Sequence, residues 1–205
     1  MSNVTMRIPR AANCFREEDG GQPVEFAQAD GGRRRFQMVL NSGTDMQSFW
    51  WGKIALDLAG GRLESQRIPA LREHDRGQIA GWHDEIEFGK KLRSRGFITE
   101  STAAGKETLG LLEDGFPFQA SVRATPLKIE NVAENAVAEV NGRKFSGPGV
   151  IFRKWVLNEG SFCVFGADSN TSALAAAAGD EEEIHCEFIG NVPAQVSKGH
   201  ADLLE

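Results

Sequence analysis

The sequence predicts a mainly β protein with a few helices (an α+β chain), folded as a compact, mostly antiparallel β-barrel. Many short segments alternate apolar and polar residues, which is typical of strands with one buried face. Turn residues separate these segments at even spacing, and only one or two segments have the features of a helix. Forty per cent of the 205 residues are hydrophobic, so the chain can bury a core of its own.

Three regions of the chain differ in composition. Residues 1–34 are polar, rich in glycine and without periodicity, which indicates a flexible N-terminal arm. Residues 35–175 carry the strand patterns and are predicted to form the barrel domain. Residues 176–205 begin as an Ala-rich linker and continue as an acidic tail that we expect to be loosely held.

The predicted elements follow a regular order within the central region. Before the helix, the strands cover residues 36–40, 51–58, 68–71, 79–82, 86–88 and 92–99. The helix starts at Ser101 or Thr102, either of which can cap it, runs through Leu112 and stops at Gly115. Beyond it, Asn141-Gly142 favours the positive φ angles of a tight hairpin turn. The strands after the helix cover residues 115–125, 136–140, 143–145, 150–157 and 161–165.

Charge and hydropathy exclude several classes of partner. The net charge of −6 argues against a nucleic-acid partner, because phosphate binding requires clustered lysine and arginine. The one basic run, Arg33-Arg34-Arg35, is interpreted as a solvated strand entry. The N-terminus lacks an apolar leader, and the chain lacks an apolar run of about eighteen residues. We therefore expect a soluble intracellular protein with no membrane partner.

The cysteines are few and widely spaced. Their odd number disfavours a disulfide framework or a zinc knuckle and suits a reducing cytoplasm; they are Cys14, Cys163 and Cys186.

A serine and a histidine are the first candidates for chemistry. Ser121 lies in the strand at 115–125, where alternation directs it away from the apolar set, as a nucleophile requires. His74 follows an apolar strand, and neutral imidazole is the usual general base near neutral pH. Spacing alone does not bring the two together, and an ordinary strand serine and strand-end histidine have the same pattern.

A metal site is the rival interpretation. Its candidate ligands lie close together in sequence, but neither the His-x-x-x-His nor the Cys-x-x-Cys spacing is present. Adjacent strand residues also point to opposite faces of a sheet. We therefore expect no metal, and without a P-loop or dinucleotide-binding glycine pattern we expect no cofactor. The ligand candidates are His74, Asp75, His83, Asp84, Glu85 and Glu87.

In order and spacing, several segments of the chain resemble the prohead serine proteases of tailed phages, which are related to the herpesvirus assemblins. The resemblance covers residues 35–175 and rests on no unique signature. The segments that carry it are Leu71-x-x-His74-Asp75, the Gly81-Trp82 turn, the helix end Leu111-Leu112-Glu113-Asp114-Gly115, Ser121, residues 155–162 and residues 167–173.

The resemblance implies an assemblin-type barrel and a serine endopeptidase. His74 would be the general base, Ser121 the nucleophile and Glu159 the acid that orients the imidazole, with His83 and Asp84 as substitutes for Glu159. The implied substrates are major capsid protein and scaffold segments and the chain itself. The implied location is the host bacterial cytoplasm, inside the immature prohead, and a homo-oligomer is left open.

The chain also departs from the family pattern. Val122 and Arg123 follow Ser121 where smaller or apolar residues are usual, and Gly160 follows Glu159 where the family has a hydrophobic residue. The oxyanion donors are therefore not assigned, and Arg123 either stabilises an anionic intermediate or pairs with an acid. Two alternatives remain: a non-catalytic scaffold or assembly protein on the same fold, and a metal-dependent hydrolase that uses His74, His83 and Asp84.

Overall fold

The structure, a computed structural model, describes residues 1–16, 25–30, 33–48, 50–164, 181–193 and 196. Its strands before the helix are β1 (Ser2–Pro9), β2 (Cys14–Arg16), β3 (Glu25–Asp30), β4 (Arg33–Asn41), β5 (Met46–Ser48), β6 (Gly52–Leu56), β7 (Gly61–Arg62), β8 (Ile68–Arg72), β9 (Asp75–Phe88) and β10 (Leu92–Ile98). The helix is α1 (Ala103–Glu113), and the later strands are β11 (Gln119–Val132), β12 (Val137–Val140), β13 (Arg143–Ser146), β14 (Gly149–Cys163) and β15 (Glu181–Ile189). Short 3-10 turns lie at Arg10–Asn13 and Leu58–Gly60.

One large sheet contains all of these strands except the β12–β13 hairpin. Its hydrogen-bonded order is β1-β15-β11-β14-β8-β9-β10-β4-β3. The β2 strand is not part of this order but pairs with β11. Most neighbours are antiparallel, whereas β14 pairs in parallel with β6, β7 and β8. This confirms a mainly β fold with one α-helix among the described residues.

The core lies between strands that are distant in the sheet. The β4 strand contacts β11 although four strands separate them along the hydrogen-bonded order. Aromatic rings fill the space: Phe36 meets Phe162 edge-on at 5.0 Å, and Phe162 meets Phe118 at 5.7 Å between ring centroids. All three rings are at most 1% exposed, so this aromatic cluster is fully enclosed between β4 and the β11–β14 pair.

The N-terminal and C-terminal regions differ from the sequence prediction. Residues 2–9 are not a flexible arm, because β1 pairs with β15 along its whole length and buries Met6 and Ile8. Residues 181–189 are not a loose tail, because they form β15, which also pairs in parallel with β11. The sheet therefore extends beyond 35–175 at both ends. Acidic composition concealed β15, since its charges alternate with buried Ile184, Cys186 and Phe188. The Ala-rich linker at 176–180 lies outside the described residues.

Two local predictions are confirmed. Thr102 caps α1, because its hydroxyl accepts a hydrogen bond of 3.0 Å from the Gly105 amide. Asn141 and Gly142 join β12 to β13 with φ of 53° and 71°, as the Asn-Gly turn predicts. Among the described residues, no helix has both the length and the apolar character needed to cross a membrane.

The Asn141 side chain also joins this turn to the rest of the fold. Its amide oxygen accepts from the Leu58 N–H (2.9 Å), and its amide nitrogen donates to the carbonyls of Leu56 (2.8 Å) and Gly43 (3.1 Å).

We expect Asn141→Gly to lower the free energy of unfolding by about 2 kcal/mol. Glycine keeps the positive φ but leaves three backbone groups without their partner. Asn135→Gly is the matched control, because Asn135 also has a positive φ (65°) but is exposed. Urea unfolding of both variants measures the difference, and equal stabilities would contradict a structural role for the Asn141 amide.

Candidate functional site

A two-residue turn places His74 above the middle of the sheet. Arg72 at the end of β8 pairs with Asp75 at the start of β9, so only Glu73 and His74 form the turn. Their φ angles, 50° and 60°, are those of a tight hairpin turn that usually contains glycine or asparagine. Two bulky residues in this conformation are rare, and strain of this kind is concentrated at functional sites.

Hydrogen bonds to β14 hold the turn in place. The Glu73 N–H donates to the Phe162 carbonyl (3.2 Å), and the His74 N–H donates to Ser161 Oγ (3.2 Å). The Glu73 carboxylate in turn accepts from the Val164 N–H. These bonds offset the cost of the positive φ angles and fix the imidazole over β14.

The His74 ring lies between Ser121 and Glu159. Its Nε2 is 2.7 Å from Ser121 Oγ, and its Nδ1 forms a short hydrogen bond with Glu159 Oε1. When the ring is neutral and Nδ1 carries the proton, Nε2 accepts from the serine hydroxyl. The structure thus brings together the three residues to which the resemblance gives catalytic roles.

Ser161 supports the carboxylate from its other side. Its hydroxyl donates to Glu159 Oε2 at 2.6 Å, so both carboxylate oxygens are bonded. Glu159 and Ser161 are two residues apart on β14, and therefore share a face of the sheet. Sequence reasoning missed Ser161, although this spacing from Glu159 was a signal for it.

The face that carries Ser121 is covered rather than open. The strand pattern predicted a hydroxyl on an exposed polar face, but Ser121 is only 1% exposed. Four of the buried polar residues among those described lie on this one face. The four are Gln119, Ser121, Glu159 and Ser161.

The β2 strand lies along the edge of β11 at this point. Its register places Arg16 opposite Ser121 and Cys14 opposite Arg123. The Cys14 Sγ atom lies within 4.8 Å of a His74 ring nitrogen, and the thiols of Cys14 and Cys163 both raise the pKa of this ring. All three cysteines are free thiols, and composition alone gave no signal that two of them meet at the histidine.

His83 is not part of this arrangement. The sequence placed it at a turn as a substitute for Glu159, but it lies within β9 and is fully buried. Its Nδ1 bonds with Ser94 Oγ (2.9 Å), and its Nε2 lies 3.2 Å from the Gly160 carbonyl. A Cβ atom at Gly160 would lie 2.6 Å from this Nε2, so the close approach explains why glycine follows Glu159.

The other residues of the predicted metal cluster do not converge. Asp84 and Glu85 both pair with Arg35, at 3.2 and 2.9 Å. Among the described residues, only Cys14, His74 and Glu159 form a group of potential metal ligands.

Arg123 is paired with an acid. Its guanidinium forms a close ion pair with Glu182 of β15, and only 11% of its side chain is exposed. Of the two roles predicted for it, the structure therefore supports the pairing.

The two histidines of the central sheet have opposite pKa shifts. Burial is the largest influence on His74 and lowers its pKa, but the Glu159 carboxylate and the thiols of Cys14 and Cys163 reverse this. The resulting pKa lies well above the ordinary value. Burial lowers the pKa of His83 to about 4, despite its bond to the Gly160 carbonyl. His83 is therefore neutral near pH 7, whereas His74 keeps its proton to a higher pH than an unperturbed imidazole.

Comparison with known proteins identifies no relative: the chain matches no protein-family model, no curated protein and no solved structure.

We expect Glu159→Gln to lower the pKa of His74, because the neutral amide removes the attraction that opposes burial. The titration of the His74 Hε1 signal by NMR measures this change. His83 is the internal control, since it should remain neutral above about pH 4 in both proteins. An unchanged His74 midpoint would show that the carboxylate does not stabilise the imidazolium.

Proposed function

We propose that this protein is a serine endopeptidase that matures phage proheads by cleaving scaffold and capsid-protein segments and its own chain. The observation that carries the proposal is the continuous set of hydrogen bonds from Ser121 Oγ through His74 to Glu159. A hydroxyl, an imidazole and a buried carboxylate in this order are the parts of a nucleophile, its base and the group that orients the base. The resemblance to prohead proteases adds the substrate class and the location inside the immature prohead.

The three side chains act in sequence in this proposal. His74 Nε2 removes the proton from Ser121 Oγ as the oxygen attacks a peptide carbonyl. Glu159 stabilises the imidazolium that results, and the imidazolium then donates its proton to the leaving amine. A water molecule, activated by the same nitrogen, releases the acyl group from Ser121. The raised pKa of His74 means that the neutral base becomes available as pH rises through that pKa.

Gln119 is our candidate donor to the oxyanion. It lies two residues before Ser121 on β11 and therefore on the same face. It is 2% exposed, and its amide nitrogen finds no hydrogen-bond partner among the described residues. A buried N–H without a partner is costly, and a developing negative charge beside Ser121 would satisfy it.

Substrate entry requires β2 to move. Because β2 pairs with β11 opposite Ser121, a peptide that adds to this edge takes the place of β2. The contact between β4 and β11 supports the further proposal that the sheet curls into an assemblin-like barrel around the apolar core.

The low exposure of Ser121 favours one alternative, a non-catalytic assembly protein in which the three residues are structural. A fluorophosphonate probe separates the alternatives, because it modifies only an activated serine.

We expect the folded protein to be labelled at Ser121, and Ser121→Ala to abolish both labelling and self-cleavage. Ser161→Ala is the matched control, because Ser161 pairs with Ser121 across the strands. It should still be labelled, but about 3- to 10-fold more slowly, since the Glu159 carboxylate and the His74 N–H each lose one hydrogen bond. Mass spectrometry locates the adduct. Absence of an adduct on folded wild-type protein, or self-cleavage by Ser121→Ala at the normal rate, would contradict the proposal.

We expect Gln119→Met to lower kcat for a peptide substrate by about 10²–10³-fold with little change in KM, because the lost donor acts in the transition state. Methionine has a similar length and tolerates burial, so near-UV circular dichroism should remain unchanged. A wild-type kcat in this variant would exclude Gln119 as an oxyanion donor.

A further inference from the structure

A thiol, an imidazole and a carboxylate from three separate segments meet at the candidate site. The Sγ atom of Cys14, a ring nitrogen of His74 and a carboxylate oxygen of Glu159 all lie within 4.8 Å of one another. They come from β2, from the β8–β9 turn and from β14. We propose that these three residues form a Zn²⁺ site, and that zinc holds the protein in an inactive state.

The donor set fits zinc. Zinc binds thiolate at about 2.3 Å and imidazole nitrogen or carboxylate oxygen at about 2.0–2.2 Å, in tetrahedral geometry. Tetrahedral ligand atoms at these lengths are about 3.3–3.6 Å apart, and the three atoms all lie within 4.8 Å of one another, so small side-chain movements would complete the geometry. The mixture of sulfur, nitrogen and oxygen also disfavours magnesium and calcium, which prefer oxygen ligands.

The surroundings provide the remaining requirements of a site. Glu159 is 4% exposed and is oriented by the Ser161 hydroxyl, while Cys14 is half-buried and so open to an entering ion. Three protein ligands leave a fourth position for water.

Zinc in this position would stop the proposed chemistry in two ways. Zinc would bind a nitrogen of the His74 ring, which must accept the serine proton. It would also bind the Glu159 carboxylate, which stabilises the protonated ring. It would also tie Cys14, and with it β2, to the strand edge that a substrate must occupy. The inhibition rests on the proposed protease function, whereas the binding of zinc does not.

Cobalt substitution tests the binding directly. We expect metal-free full-length protein to bind one equivalent of Co²⁺, with the visible bands of tetrahedral coordination and a near-ultraviolet thiolate-to-cobalt band, and Zn²⁺ to displace it. Cys14→Ala should lose the thiolate band and weaken zinc binding at least about tenfold, as loss of a ligand requires. Cys186→Ala is the matched control, since Cys186 is a buried thiol on β15, and Ser121→Ala should also bind normally.

A thiolate band that persists in Cys14→Ala, or no stoichiometric binding by the wild type, would overturn the site. Thermal melting of each variant without metal verifies that it is folded. Glu159→Gln gives a second test, because it should weaken zinc binding while it keeps the thiolate band.

Labelling of Ser121 by the fluorophosphonate probe tests the inhibition. Zinc should block labelling of the wild type, and EDTA should restore it, whereas Cys14→Ala should need at least about tenfold more zinc for the same inhibition. If the wild type binds zinc but is never labelled in EDTA, the protease proposal fails and the metal site stands. If it is labelled equally with and without saturating zinc, the inhibitory role fails and the protease proposal stands. Labelling that is lost in EDTA would instead make the metal an activator and overturn the inference.

Discussion

The β14 strand has a hydrogen-bonded neighbour on each edge over the same three residues, and the site depends on this double pairing. Along 160–162, β11 pairs antiparallel on one edge and β8 pairs in parallel on the other. The pairing places Ser121 level with Ser161 and brings the β8–β9 turn over β14. A shift of one residue in the β11–β14 register would turn Ser121 away from Glu159 to the apolar face. Strand register, rather than any local motif, therefore holds the hydroxyl, the imidazole and the carboxylate together.

The same arrangement explains how the fold tolerates a buried layer of polar groups. An isolated buried carboxylate would be strongly destabilising, but Glu159 accepts from Ser161 and bonds with His74. His83 stands behind this layer and bonds with the Gly160 carbonyl, next to Glu159 in the chain. Because burial keeps His83 neutral, it supports the backbone of β14 without adding a second positive charge beside His74.

The N-terminal segment connects the rest of the fold to the site. The β1 strand is anchored by β15, and β2 then lies along β11 beside Ser121. The strand that pairs with β11 beside the candidate nucleophile thus belongs to a segment held by the edge of the sheet. Its Cys14 thiol also raises the pKa of the His74 ring, so the position of β2 influences the ionisation of this imidazole.

Glu159 became a candidate only through the resemblance to the prohead proteases. The sequence by itself determined the mainly β class, the helix with its Thr102 cap and the Asn141-Gly142 hairpin, and it made Ser121 and His74 candidates. These follow from local patterns: alternation, capping and turn chemistry act over a few residues and are visible in the chain. It did not reveal that β1 and β15 belong to the sheet, that Ser121 is covered, or that Cys14 lies within 4.8 Å of the His74 ring. Only the tertiary structure decided these points, because they depend on which strands pair and in what register. Those pairings join residues more than a hundred positions apart, such as Cys14 and Arg123.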